Sequence, residues 1–227
     1  MARRALVTLG LDEAGRGPAI GPLVLAGVAL TTRAATALTR AGLTDSKVFG
    51  AGAEAHKRRL ELAAKVRELA TFVEAEVVAP AVVDARVERG ELNQLEREVA
   101  QRLIERAPAA DRIIADGQRM FAPLAARFPN LVALDRAEER HAAVAAASVI
   151  AKTLRDEHYA QICARYEPEF GPIAGGGYVN EATRKFLRAY AERYRCLPPE
   201  ARRSWPHPYV ADLVDAPPAT SPQLSLL

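Results

Sequence analysis

The chain has 227 residues, 49% hydrophobic and 26% charged, with a formal net charge of only +3, the composition of a soluble globular protein long enough to bury a sizeable core. Its opening, "MARRALVTLGLDEAGRG", reaches Asp12 too soon for a secretory signal, and its longest alanine- and valine-rich stretch, "HAAVAAASVIAK", is too short to span a bilayer, so a cytoplasmic protein without membrane contact is expected. Cys163 and Cys196 stand far apart and outside any CxxC pattern, so neither a zinc site nor a disulfide framework is suggested.

In chain order, "ALVTLGL" (5–11) and "LVLAGVAL" (23–30) read as strands opening an antiparallel meander. "AEAHKRRLELAAKVRELA" (53–70) has helical spacing, and "TFVEAEVV" (71–78) alternates as a half-buried strand. Two helices are expected around 80–89 and 91–106, punctuated by Gly90. "RIIAD" and "LVALD" are short apolar runs ending at Asp116 and Asp135, with helical segments between and after them, as parallel strands with crossover helices require. A long alanine-rich helix follows over 141–166, Gly and Pro break the pattern from Pro168 to Gly177, and a last amphipathic helix covers 181–194. From Pro206 the Pro-rich end reads as a loosely attached tail.

Charge is unevenly spread. Between Tyr178 and Trp205, seven basic residues stand against three acidic ones, a net +4 that leaves the remainder slightly negative. A basic C-terminal segment on a near-neutral body suits a polyanionic partner, although a solvated helix face has the same composition.

Acids mark the ends of three strands: Asp12 and Glu13 after the first, Asp116 and Asp135 after the later two. On one edge of an open α/β sheet such residues converge from distant positions. Carboxylates gathered without cations are driven to take up protons, and divalent ions remove that conflict. A set of oxygen donors without His or Cys selects a hard ion, Mg²⁺ or Mn²⁺, and paired ions about 4 Å apart are an established arrangement for phosphodiester cleavage. Asp116 or Asp135 taken singly reads first as an N-cap or turn residue, since Asp is common in both places. Adjacent acids on an extended strand face opposite ways, so a turn at Gly15 and Gly17 is expected if Asp12 and Glu13 are to serve one site, and bare glycine backbone there lets a ligand approach.

The blocks "GLDEAGRGPAIGPLVLAG", "LTDSK" (43–47), "ADG" (115–117), "AAASVIAKTLRD" (145–156), "GGGYVNEATRKFL" (175–187) and "RRSW" (202–205) resemble, in order and spacing, the type 2 ribonucleases H. The last two blocks resemble the archaeal and eukaryotic versions more than the usual bacterial ones. The resemblance implies an α/β domain of the ribonuclease H type over 1–205, with a mixed central sheet flanked by helices and a basic helical C-terminal part from about 178, then a Pro-rich tail over 206–227. It implies a monomer that hydrolyses the RNA strand of RNA/DNA hybrids and cuts 5′ to single ribonucleotides in duplex DNA, leaving 3′-hydroxyl and 5′-phosphate ends.

Carried over by position, Asp12, Glu13, Asp116 and Asp135 become the metal-binding acids. The Gly15-Arg16-Gly17 backbone becomes the reader of a ribose 2′-hydroxyl, and Tyr178 stacks on the adjoining deoxyribose. Lys47, Ser148 and Lys152 fall near the active site, where the lysines contact phosphate or balance the acids; Arg202, Arg203 and Trp205 either engage the duplex backbone or, for Trp205, pack the last helix. This chain departs from the family at "LVALDRAEERHAAVAAAS", which lacks the usual proline and the small residue beside the fourth acid; Glu138, Glu139 and Asp156 are the alternatives to Asp135, in that order. "SPQLSLL" (221–227) is similar to peptides that bind a sliding clamp. Rival readings are a hybrid-binding protein of this fold with impaired catalysis, a nuclease of DNA junctions and a general RNA-binding module; the last would want more exposed aromatics than 6% provides.

Overall fold

The valines, leucines and glycines of residues 7–14 form strand β1 (Val7–Ala14), which pairs antiparallel with β2 (Leu23–Thr31) in a register that sets Asp12 opposite Ala26 and Glu13 opposite Leu25. The structure is a computed structural model and describes residues 5–43 and 53–214. Its described chain divides into two compact units.

The first unit takes the described residues of Met1–Ala14, Val24–Glu76 and Glu96–Leu154. Its mixed sheet has the order β3-β2-β1-β4-β5, with β3 at Phe72–Val78, β4 at Arg112–Asp116 and β5 at Leu131–Leu134. β4 runs parallel to both β1 and β5, which requires the crossover helices between them. Helices α1 (Thr32–Arg40), α2 (Ala53–Leu69), α4 (Leu92–Arg106), the short α5 (Gln118–Phe121) and the first half of α6 (Ala142–Phe170) belong wholly or partly here. Every residue of β2 up to Leu30 is buried, as expected of a strand covered on both faces.

The alanines of α6 let it lie directly against the sheet. A Cβ added at Gly10 on β1 would stand only 2.1 Å from the backbone carbon of Ala143, so backbone meets backbone at that crossing. Ala143, Ala145, Ala146, Ala147, Val149 and Ile150 join Val24, Ala26 and Val28 in one buried cluster.

The second unit takes Gly15–Leu23, Val77–Leu95 and the described residues of Arg155–Leu227. Its core gathers Ile20, Tyr159, Ile162, Phe186, Leu187 and Ala191, with α3 (Pro80–Val87) and α7 (Glu181–Tyr194) as its other helices. Asn180 caps α7, its side chain accepting from the Thr183 N–H at 2.9 Å. Cys163 and Cys196 are free thiols.

Three sequence expectations are corrected. β1 continues to Ala14, so Asp12 and Glu13 lie within the strand rather than after it. Helix α1 was not expected; it is only nine residues long and buries Ala34 and Leu38 on one face, and Thr31 caps it by accepting from the Ala34 N–H at 3.2 Å. Helix α6 does not stop at Pro168 but runs on to Phe170, because the ring of Phe170 sits among Tyr166, Phe186 and Tyr190 at centroid distances of 6.4, 5.6 and 5.7 Å, and that packing holds the last turn despite the lost N–H donor. Among the described residues no helix is long and apolar enough to cross a membrane.

Candidate active site

The parallel register of β1 and β4 pairs Leu11 with Ala115, which puts Asp12 and Asp116 side by side at the next position along each strand. Asp12 is 5% exposed. Its Oδ1 accepts from the Glu13 N–H at 2.8 Å, and the hydroxyl of the fully buried Ser148 on α6 donates to the same carboxylate. Burial pushes the Asp12 carboxyl up to about 7; the Ser148 hydrogen bond opposes that rise, the Asp116 charge adds to it, and the Lys152 ammonium and the Glu13 N–H oppose it again. Ser148 and Lys152, one helical turn apart, therefore act on the same carboxylate from α6.

Asp116 Oδ1 accepts from the Ala137 N–H at 2.7 Å, and Asp135 Oδ1, at the end of β5, accepts from the Gln118 N–H at 2.8 Å. These two bonds tie the end of each strand to the turn that follows the other: β4 to the turn after β5, and β5 to the turn after β4. Glu13 follows Asp12 on the same strand and is half-buried. No group of three or more His, Cys, Asp or Glu side chains among the described residues is already gathered as a metal centre. The acids brought together are thus the Asp12–Asp116 pair, with Glu13 and Asp135 flanking it along the chain. The donor set fits a hard divalent ion: it is all oxygen, and burial together with the Asp116 charge disfavours the ionised Asp12 carboxylate, a penalty that a bound cation would relieve.

Among the alternatives to Asp135, Glu139 pairs with Arg136 and Asp156 lies 3.8 Å from Arg155, whereas Glu138 is buried. Arg136 adopts φ 57°, the left-handed region in which a side chain is strained. That backbone explains why a small residue beside this acid would be easier to accommodate.

In the second unit, Gly15 adopts φ 87°, and a Cβ there would lie 2.5 Å from the Pro22 carbonyl oxygen, so glycine is demanded twice over. Arg16 donates to Asn93 Oδ1 at 2.7 Å. A Cβ added at Gly17 would touch the Tyr178 ring at 3.3 Å. Tyr178 is exposed, and with Gly17, Arg184, Trp205, Pro208 and Tyr209 it lines a groove of about 620 Å³.

One supporting assignment is overturned. Arg202 is 0% exposed and cannot grip a duplex; its guanidinium donates to the carbonyls of Gly15, Arg16 and Gly21 and stacks on Trp205. Trp205 is buried and donates to the Gly17 carbonyl at 3.1 Å, which is the packing alternative. Arg203 is exposed. Lys47 and residues 221–227 lie outside the described residues.

Sequence reading missed Asn93, Arg155 and Asp84. Arg155 is buried and donates to the carbonyls of Ile20 and Gly176, joining the segment after Gly17 to the glycine loop that carries Tyr178. Asp84 accepts from the N–H groups of Arg203 and Ser204 at 2.9 and 3.1 Å. "VVDARV" and "ELNQLE" carry no local signal for these roles, because each partner is distant in the chain.

A family model described as Ribonuclease HII matches residues 9–207. A protein named Ribonuclease HII from Methanothermobacter thermautotrophicus is 37% identical over 205 residues, covering 87% of this chain and 95% of the relative. Two solved structures share the fold. The ribonuclease H2 of Pyrococcus horikoshii is 26% identical with a TM-score of 0.77, over 89% of this chain and 95% of that one. The RNase HII of Archaeoglobus fulgidus, solved as a PCNA:RNase HII complex, is 31% identical with a TM-score of 0.74, over 88% and 96%. With the family model spanning most of the sequence, the chain belongs to the ribonuclease HII family, endoribonucleases with ribonuclease H activity on RNA/DNA.

Proposed function

We propose that the chain is a Mg²⁺- or Mn²⁺-dependent endonuclease that cuts the RNA strand of RNA/DNA hybrids and cleaves 5′ to single ribonucleotides embedded in duplex DNA. The observation that carries this reading is the pairing of Asp12 with Asp116 at adjoining strand positions, served from α6 by Ser148 and Lys152. Asp12, Glu13, Asp116 and Asp135 are the residues assigned to hold the ions. When bound, such ions supply the Lewis acidity for attack of water on the phosphodiester.

The chain's own groups do the rest. Ser148 fixes one lone pair of Asp12 and so orients the carboxylate, while Lys152 balances charge and is assigned to meet a phosphate oxygen. Gly15, Arg16 and Gly17 present backbone to a ribose 2′-hydroxyl, the group that distinguishes RNA from DNA. Tyr178, exposed beside Gly17, stacks on the following deoxyribose. Lys47 is assigned to the same phosphate neighbourhood by its motif. The segment 221–227 is assigned to a sliding-clamp contact; the Archaeoglobus fulgidus relative was solved with PCNA.

Cleavage of a labelled duplex containing one ribonucleotide, with Mg²⁺ and then Mn²⁺, tests the reading. One cut 5′ to the ribonucleotide is expected, with none in the all-deoxy duplex. Asp12→Asn and Asp116→Asn should each slow turnover roughly a thousandfold, about 4 kcal/mol of barrier, while the protein stays folded. Retained rates in either variant would remove these acids from the metal site.

A further inference from the structure

We infer that Arg202, a buried arginine 185 residues or more beyond the loop it serves, is the positioning residue that turns the backbone of Gly15-Arg16-Gly17 toward a ribose and so sets discrimination against deoxyribose. The inference rests on the function proposed above for that loop.

Three consecutive carbonyls of the loop are held from one side. Arg202 Nη1 donates to the Arg16 oxygen at 2.8 Å, Nη2 donates to the Gly15 oxygen, and Trp205 Nε1 donates to the Gly17 oxygen at 3.1 Å. Across a planar trans peptide the N–H opposes the C=O of the same plane. Fixing the Gly15 and Arg16 carbonyls toward Arg202 therefore aims the N–H groups of Arg16 and Gly17 the opposite way. A loop rich in glycine would otherwise sample both orientations of each plane.

The clamp is itself held. Arg202 Nε donates to the Gly21 oxygen at 3.1 Å, its main-chain N–H donates to the Ala19 oxygen at 2.8 Å, and its guanidinium lies 4.9 Å from the Trp205 ring centroid. Asp84 accepts from the next two main-chain N–H groups, and His207 Nε2 lies 2.8 Å from the Arg202 carbonyl oxygen. A guanidinium fork reaches three carbonyls at once, which a lysine ammonium on its flexible stem cannot reproduce. Because Arg202 is 0% exposed, it acts through the loop and touches no nucleic acid.

The test is binding in the full chain carrying Asp116→Asn, by fluorescence anisotropy, to a duplex with one ribonucleotide and to the same duplex in all-deoxy form. The parent is expected to prefer the ribonucleotide duplex. Arg202→Lys should reduce that preference roughly five- to tenfold, the value of a lost hydrogen bond or so, with all-deoxy affinity unchanged. Trp205→Phe keeps an aromatic ring beneath Arg202 while removing the donor to Gly17, and should reduce it about threefold; it decides alone if Arg202→Lys does not fold. An unchanged preference in the folded variants, or an equal loss on both duplexes, would overturn the positioning role. A parent that binds both duplexes alike would instead overturn ribose reading itself, and the positioning role with it.

Discussion

Both ring nitrogens of His207 are engaged: Nε2 lies 2.8 Å from the Arg202 carbonyl oxygen and Nδ1 lies 2.7 Å from the Tyr209 hydroxyl. A carbonyl only accepts, so Nε2 carries the proton and Nδ1 accepts from Tyr209, which is the neutral imidazole. Burial holds the pKa of His207 below its usual 6.5, against the pull of the Arg202 carbonyl and the Asp84 charge. A group whose value is lowered on folding contributes stability above its unfolded value and loses it as pH falls toward the folded one. Unfolding free energy should therefore decline between about pH 6.5 and 5 more steeply in the parent than in His207→Gln, as read by urea titrations across that range. Asp12, whose value is raised on folding, has the opposite sign in the metal-free protein, which is why the difference between parent and variant is the quantity to measure.

At the scale of elements, the crossing of β1 and α6 decides whether Ser148 reaches Asp12. Gly10 is where the two backbones meet, with Ala143 and Val144 main-chain atoms 2.1 to 2.4 Å from any added Cβ. Neither neighbour is the end of a flexible side chain, so Gly10→Ala must push the helix off the sheet. A loss of about 3 kcal/mol is expected from chemical denaturation, with slower cleavage in the protein that remains folded; a loss below about 1 kcal/mol would show that α6 can shift freely. Most of these elements were legible in the sequence because their apolar spacing is local: β4, α4 and α7 fall where periodicity and punctuation put them. The end of β1 was not, since two adjacent acids look like a strand terminus until the pairing with Ala26 and Leu25 shows otherwise. The pairing of Asp12 with Asp116 was legible because two apolar runs each ended in an aspartate. The clamp at Arg202 was not, since its partners lie at the far end of the chain and a buried arginine looks in sequence like any basic residue.

For the molecule as a whole, the structure changes what the basic C-terminal segment can offer a polyanion. Of its seven cations, Arg202 is buried, Arg188 is paired with Asp212 and Glu192, and Arg193 is paired with Glu169 at 2.7 Å. Arg184, Lys185, Arg195 and Arg203 remain exposed. Arg184 lines the groove beside Tyr178 and Lys185 follows it on α7, and these two are the cations proposed to meet phosphate. Each phosphate neutralised releases counterions and adds about 0.9 to the slope of log affinity against log salt. Arg184→Ala with Lys185→Ala should reduce that slope by about 2 for a ribonucleotide-containing duplex measured from 50 to 200 mM salt. Arg188→Ala with Arg193→Ala removes the same formal charge, yet these cations already carry carboxylate partners, so the slope should change by less than about 1. Equal effects of the two double variants would mean that net charge alone governs association, and that the position of α7 confers nothing beyond it.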